Sequence, residues 1–169
     1  LCGSATFSYQ DISTTGTLVG GDDDVSFNVT LTDPFPYYGT NITTLVVNTN
    51  GWVSDPNNGA PTQAQMRTEV PIANAGVPNN AIFAFWDDLD SDTVACTGSG
   101  IWYQDFSGYA IVQWKVDLWS EASGCSGAPN YDFELKLFDN GNIEAHYNTM
   151  PNSGATGAAG IENAGGTDG

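Results

Sequence analysis

The chain has 169 residues, 40% hydrophobic and 12% aromatic, which is enough apolar surface to offset chain entropy in one domain and excludes a disordered polymer. Three cations, Arg67, Lys115 and Lys136, stand against twenty Asp and Glu for a formal net charge of -17. Nucleic acid and anionic membrane surfaces both require clustered Lys or Arg and are excluded as partners, which leaves cations, neutral glycans and other protein chains, beside the plainer reading that the acidity serves solubility.

No apolar run approaches the roughly 18 residues of a membrane span, so no membrane insertion is expected. The chain starts at Leu1 without a basic region and apolar run, the expected form of a secreted protein whose leader has been removed. Residues 1–23 read as an N-terminal segment with a first strand. From residue 24 to 169 strand signals dominate.

Val25, Phe27, Val29 and Leu31 alternate with polar residues, the pattern of a half-buried strand. A bend at Asp33–Gly39, rich in Pro, Gly and aromatics, leads to a strand over 43–48, and the turn dipeptide Asn50-Gly51 then returns the chain through Trp52 and Val53 as a hairpin. Residues 55–80, rich in Pro, Asn, Gly, Ala and Gln, predict a long loop with a weak helical turn over 64–68. The continuous apolar run Ala81–Trp86 predicts a strand buried on both faces. Residues 100–104 and 109–119 predict a hairpin whose second strand turns Ala110, Val112, Trp114, Val116 and Leu118 to one side. A second hairpin joins Tyr131, Phe133, Leu135 and Leu137 to Ile143, Ala145 and Tyr147 through Asp139-Asn140-Gly141. Short alternating strands without a convincing amphipathic helix make the chain all-β, an antiparallel β-sandwich with long acidic loops.

Cys2, Cys96 and Cys125 form no CxxC pair and none lies near the lone His146, so a zinc site is not expected. Cys96 and Cys125 sit in Gly/Ser-rich loops flanking one hairpin region and are the natural disulfide pair, with Cys2 left over. Asn28-Val-Thr30 and Asn41-Ile-Thr43 are sequons, so Asn28 and Asn41 are candidate glycosylation sites.

His146 alternates with Ile143, Ala145 and Tyr147 and is expected to face solvent. No GxSxG or HExxH motif occurs, and paired carboxylates are the remaining catalytic option, with Asp87, Asp88, Asp90 or Asp92 opposite Glu121, Glu134 or Glu144. Spacing singles out none of them, and the chain is read as not an enzyme. Asp87, Asp88, Asp90 and Asp92 crowd four carboxylates at the end of a buried strand, and Asp22, Asp23 and Asp24 form a second triplet, both candidate ligands for calcium. The spacing lacks the EF-hand glycine and distal Glu, and Asp-rich turns also occur solvated and bonded to their own backbone. Trp86 and Trp114 belong to the core by strand phase, while Trp52 and Trp119 are the candidates for stacking on a glycan.

Seven segments, in order, carry a family resemblance: Asp33–Gly39, Leu45–Trp52, Asn80–Asp90, Ile101–Tyr103, Ile111–Val116, Asp132–Gly141 and Gly160–Ala164. Over these, from about residue 24 onward, the chain resembles the nidogen-like (NIDO) domain and its bacterial secreted relatives. The resemblance implies a β-sandwich of modular extracellular, matrix or adhesion proteins, with no catalytic residues to transfer. The Cys96 and Cys125 loops depart from the pattern as local additions. In bacterial relatives a further strand follows the last segment, so a sheet short of its final strand is left open. The function expected is therefore a secreted, non-catalytic adhesion or structural module of the matrix or cell surface, with calcium as its candidate stabilising ion, partnered by other protein chains (self or matrix) or glycans. Two alternatives stand beside it: a filament subunit assembled by strand donation, and a carbohydrate-binding module or accessory domain of a secreted hydrolase.

Overall fold

Alternation along Phe27, Val29 and Leu31 drives the longest strand into the interior of a two-sheet sandwich, seen in a computed structural model that describes residues 6–57, 59–92, 97–122 and 128–169. β1 (Thr17–Gly20) precedes that strand, β2 (Ser26–Tyr37), and β3 (Thr40–Asn48) follows it. The β2–β3 turn is Tyr38-Gly39, both at positive φ as a two-residue hairpin with the favoured twist requires. β4 (Trp52–Ser54), β5 (Ala81–Trp86) and the two-residue β6 (Leu89–Asp90) come next. Then follow β7 (Gly100–Phe106), β8 (Tyr109–Leu118), β9 (Tyr131–Phe138), β10 (Ile143–Thr149) and β11 (Ala158–Glu162). The predicted helical turn is α1 (Gln63–Arg67), and a second short helix, α2 (Trp119–Ala122), follows β8.

One sheet runs β1-β7-β8-β9-β10 with β6 paired to β8, and the other runs β11-β5-β4-β3-β2. All ladders are antiparallel. Between the sheets Leu45, Val47, Ile82, Val112, Trp114, Phe133 and Leu135 form the main core, and the indole of Trp114 donates to the Asn48 carbonyl at 2.9 Å.

β5 is buried along its whole length, as expected, but its two faces join different clusters. Ala84 and Phe85 both donate their N–H to the Gly51 carbonyl, at 3.0 and 3.1 Å. This bulge breaks the alternation, so Phe85 turns into the main core and Trp86 turns outward with Phe83 and Trp52. The long loop over 55–80 explains the second cluster: Met66, Val70 and Ile72 lie over these rings, and both indoles donate to the Met66 carbonyl, Trp52 at 3.2 Å and Trp86 at 2.7 Å. The outer face of the opposite sheet is crossed by residues 7–12, and Ile12 is sealed there against Trp102 and Ile111.

Candidate metal centre

Two Asp-rich runs far apart in sequence meet at one end of the sandwich. Asp22, Asp23 and Asp24 lie between β1 and β2, whereas Asp87 and Asp88 connect β5 to β6. Asp23 bridges Asp90. The Ser91 hydroxyl donates to the Asp22 carbonyl at 2.8 Å and accepts the Asp22 N–H at 3.1 Å. Asn50 completes the junction from the β3–β4 turn: fully buried, it donates through Nδ2 to Asp24 Oδ1 at 2.9 Å and accepts the Leu89 N–H at 2.7 Å.

As a result, Asp23, Asp24 and Asp88 each present a carboxylate oxygen within 4.8 Å of the others. Asp24 is satisfied on both oxygens, by Asn50 and by Arg67 Nη1 at 3.0 Å. Asp23 Oδ1, Asp87 Oδ2 and Asp88 Oδ1, by contrast, are buried without a donor, and Asp87 as a whole is only 8% exposed. Buried acceptors left unmatched are costly and rare.

The electrostatics agree with that count. Burial, then the charges of Asp24, Asp90 and Asp88, push the Asp23 carboxyl up to about 6. Asp88 and Asp90 are raised as well, again by burial first and by neighbouring carboxylates after it. Glu69, just beyond α1, is pushed up to about 7 by burial and by its contact with Asp87. Hard carboxylate oxygens, too mutually repulsive to coexist cheaply when ionised, are the donor set that calcium takes, at about six to eight ligands. Asp23, Asp24 and Asp88 fit as ligands, with Asp87 and Glu69 adjoining.

The sequence shows these carboxylates as two separate candidates, and the fold merges them into one. Asp22 stays at the rim, exposed, its Oδ1 accepting the Asp23 N–H at 2.9 Å. The Asp92 N–H donates to Asp90 Oδ1 at 2.7 Å. Glu69, Arg67 and Asn50 carry no sequence signal for this site: Arg67 reads only as one of three cations, Asn50 only as a turn residue, and nothing local marks Glu69.

Two other expectations, on Trp52 and His146, are corrected. Trp52 is fully buried beneath the 55–80 loop and offers no stacking surface, whereas Trp119 is 53% exposed. His146 does not face solvent: it is buried under Phe7 and Ser8, with Nε2 3.0 Å from Glu144. Glu134 is fully buried and ion-paired to Lys136 at 3.2 Å. Asn28 and Asn41 are exposed on β2 and β3. Cys2, Cys96 and Cys125, and with them the expected disulfide, lie outside the described residues, as does the Glu121 side chain. No helix among the described residues is long and apolar enough to cross a membrane.

Residues 2–168 match the family model described as NIDO related. No curated protein and no solved structure matches the chain.

Proposed function

The chain belongs to the NIDO-related family over essentially its whole length, and from that premise we propose that it is a non-catalytic extracellular module of adhesion or structural type whose acidic corner is closed by calcium. The observation that carries the calcium reading is the set of three buried, donor-less carboxylate oxygens on Asp23, Asp87 and Asp88. A divalent cation held by Asp23, Asp24 and Asp88 would relieve the Asp23 and Asp88 oxygens, and the mutual repulsion, in one step. The module role itself rests on the family and on the sandwich.

The test is calorimetric. Calcium added to chelator-treated protein is expected to bind one site and to raise the melting temperature, by about 2.7 kcal/mol of stability at a hundredfold excess over Kd. Asp88→Asn is expected to weaken binding at least tenfold while leaving the metal-free chain folded, since it removes a repelled charge. Melts indifferent to both calcium and chelator would reject the site.

A second reading, glycan binding, is favoured by one observation: Trp119, exposed, donates its main-chain N–H to the Asp88 carbonyl at 2.8 Å and so stands beside the same corner. A glycan array run with and without calcium tests it.

A further inference from the structure

The outer face of the β8-β9-β10 sheet carries a row of side chains that a solvated surface would not bury. Gln113 and Glu134 are 0% exposed, His146 3% and Lys136 5%. The register sets Gln113 opposite Glu134 and Glu134 opposite His146, one residue per strand. What buries them is the strap of residues 7–12, which belongs to no strand and is held through this row.

Each contact reads the strap's main chain at every second residue. Gln113 Oε1 accepts the Ile12 N–H at 2.8 Å. The Glu134 carboxylate accepts the Gln10 N–H at 3.1 Å. His146 Nδ1 faces the Ser8 N–H at 3.4 Å, and Lys136 Nζ donates to the Ser8 carbonyl. Side chains then add sequence preference. The Tyr9 hydroxyl donates to Asp132 at 2.7 Å, Lys115 binds the Asp11 carboxylate at 2.8 Å, and Ile12 fills the apolar hole at Trp102 and Ile111. The row is therefore a built peptide site, in which Gln113 and Glu134, shielded from water by the strap, accept its N–H groups in place of solvent.

We propose that this site and the strap together form an assembly device, in which the groove of one copy accepts residues 7–12 of a second copy. Three observations lead to that occupant. The contacts are side chain to strap, so they are the same whether the strap comes from its own chain or from another. The covalent restraint is a tight turn in which the Thr15 and Gly16 N–H groups both bond the Ile12 carbonyl, at 3.1 and 2.7 Å, and opening it costs those bonds alone in the main chain. Finally, Lys115, one of the chain's three cations, pairs with Asp11 of the strap at 2.8 Å, so the groove offers a strap from either source an ion pair beside its hydrogen bonds. Intramolecular docking wins in dilute solution through its effective concentration, and exchange takes over where copies are crowded. Reciprocal exchange closes a dimer, and sequential exchange builds an open chain.

A complementation experiment with two full-length variants tests this. Gln113→Leu disables the groove and keeps the strap, while Ile12→Asp disables the strap and keeps the groove. Each is checked for its fold by near-ultraviolet circular dichroism, with Ile12→Ala as the milder substitute should Ile12→Asp not fold. Mixed at equal concentration, the two are expected to give a species of twice the monomer mass containing one copy of each in native mass spectrometry, and neither is expected to dimerise alone. A labelled peptide of residues 6–14 is expected to bind the strap-disabled chain at least tenfold tighter than a scrambled peptide. Folded variants that stay monomeric in the mixture overturn the proposal. So does peptide binding without a mixed species, since it makes the groove a reader of peptides in general and not of a second copy.

Discussion

Arg67 Nη1 lies 3.0 Å from Asp24 Oδ2, joining a side chain 43% exposed to one only 4% exposed. The pair ties the loop that roofs Trp52 and Trp86 to the acidic corner. Removing the exposed partner strands the buried one, so the cost lies between those of a surface and a buried ion pair. Arg67→Met is expected to destabilise the chelator-treated chain by about 1 to 3 kcal/mol in urea unfolding, and by less in calcium, where the cation takes over part of the guanidinium's task. Equal losses in both conditions would separate Arg67 from the cation.

The raised carboxyls fix a pH dependence for the calcium-free chain. A carboxyl whose folded pKa exceeds its unfolded one holds its proton more tightly when folded. Its contribution is fully present below the ordinary range near 4 and is lost as pH rises through the folded value. With Asp23 at about 6 and Glu69 at about 7, stability from this corner is expected to fall between about pH 4 and pH 7. Asp11 acts in the opposite sense: against the raising effect of its burial, Lys115 and Ser13 hold it below the usual carboxylate range. Asp23→Asn isolates the corner. Its urea midpoint is expected to decline less between pH 4.5 and 7.5 than that of the parent chain, both measured with chelator, and parallel curves would contradict the assignment.

Much of the sandwich is legible because period-two patterning is local: Phe27 to Leu31, Ala110 to Val116 and Tyr131 to Leu137 each announce a face within one strand. What the pattern misreads depends on segments far away in the chain. Trp52 follows a turn, and nothing near it reports that Met66 will lie above its ring. His146 has the right phase to face outward and does so, yet residues 7–12 cover it. Period two assigns a side of the sheet, but whether that side meets water is decided by what crosses it. The acidic corner shows the same division, since the carboxylate runs are visible one by one, whereas their union requires Asp23 to pair with Asp90 and Asn50 to hold both runs.

The turn that carries Asn50 also has a steric requirement. Gly51 sits at φ +77, and a Cβ there would come within 1.9 Å of the Phe85 carbonyl oxygen, a main-chain atom that cannot step aside. The Gly51 carbonyl also receives both N–H groups of the β5 bulge. Gly51→Ala is therefore expected to cost about 3 kcal/mol or more, through left-handed strain and the clash together. Differential scanning calorimetry checks this, and a melting temperature within two or three degrees of the parent would show that the turn relaxes freely.

Trp119 offers an optical report on the acidic corner. Trp52, Trp86 and Trp114 are at most 1% exposed and Trp102 is 9% exposed, so the 53% exposed Trp119 alone among the five meets solvent broadly. Its main-chain N–H donates to the Asp88 carbonyl at 2.8 Å, and Leu118 beside it pairs with Leu89 of β6. A cation drawn in by Asp88 shifts the peptide that Trp119 is bonded to, and with it the solvent around the indole. Calcium is expected to change the red-edge emission and the acrylamide quenching of the parent chain in step with the calorimetric titration. Trp119→Phe is expected to abolish that optical change and to keep the gain in melting temperature, because it leaves Asp23, Asp24 and Asp88, the carboxylates that would hold the ion, unchanged. Persistence of the calcium-dependent emission in Trp119→Phe would place its source in a buried tryptophan, with Trp86 beneath the roofing loop the first to examine, and would break the proposed link between Trp119 and Asp88.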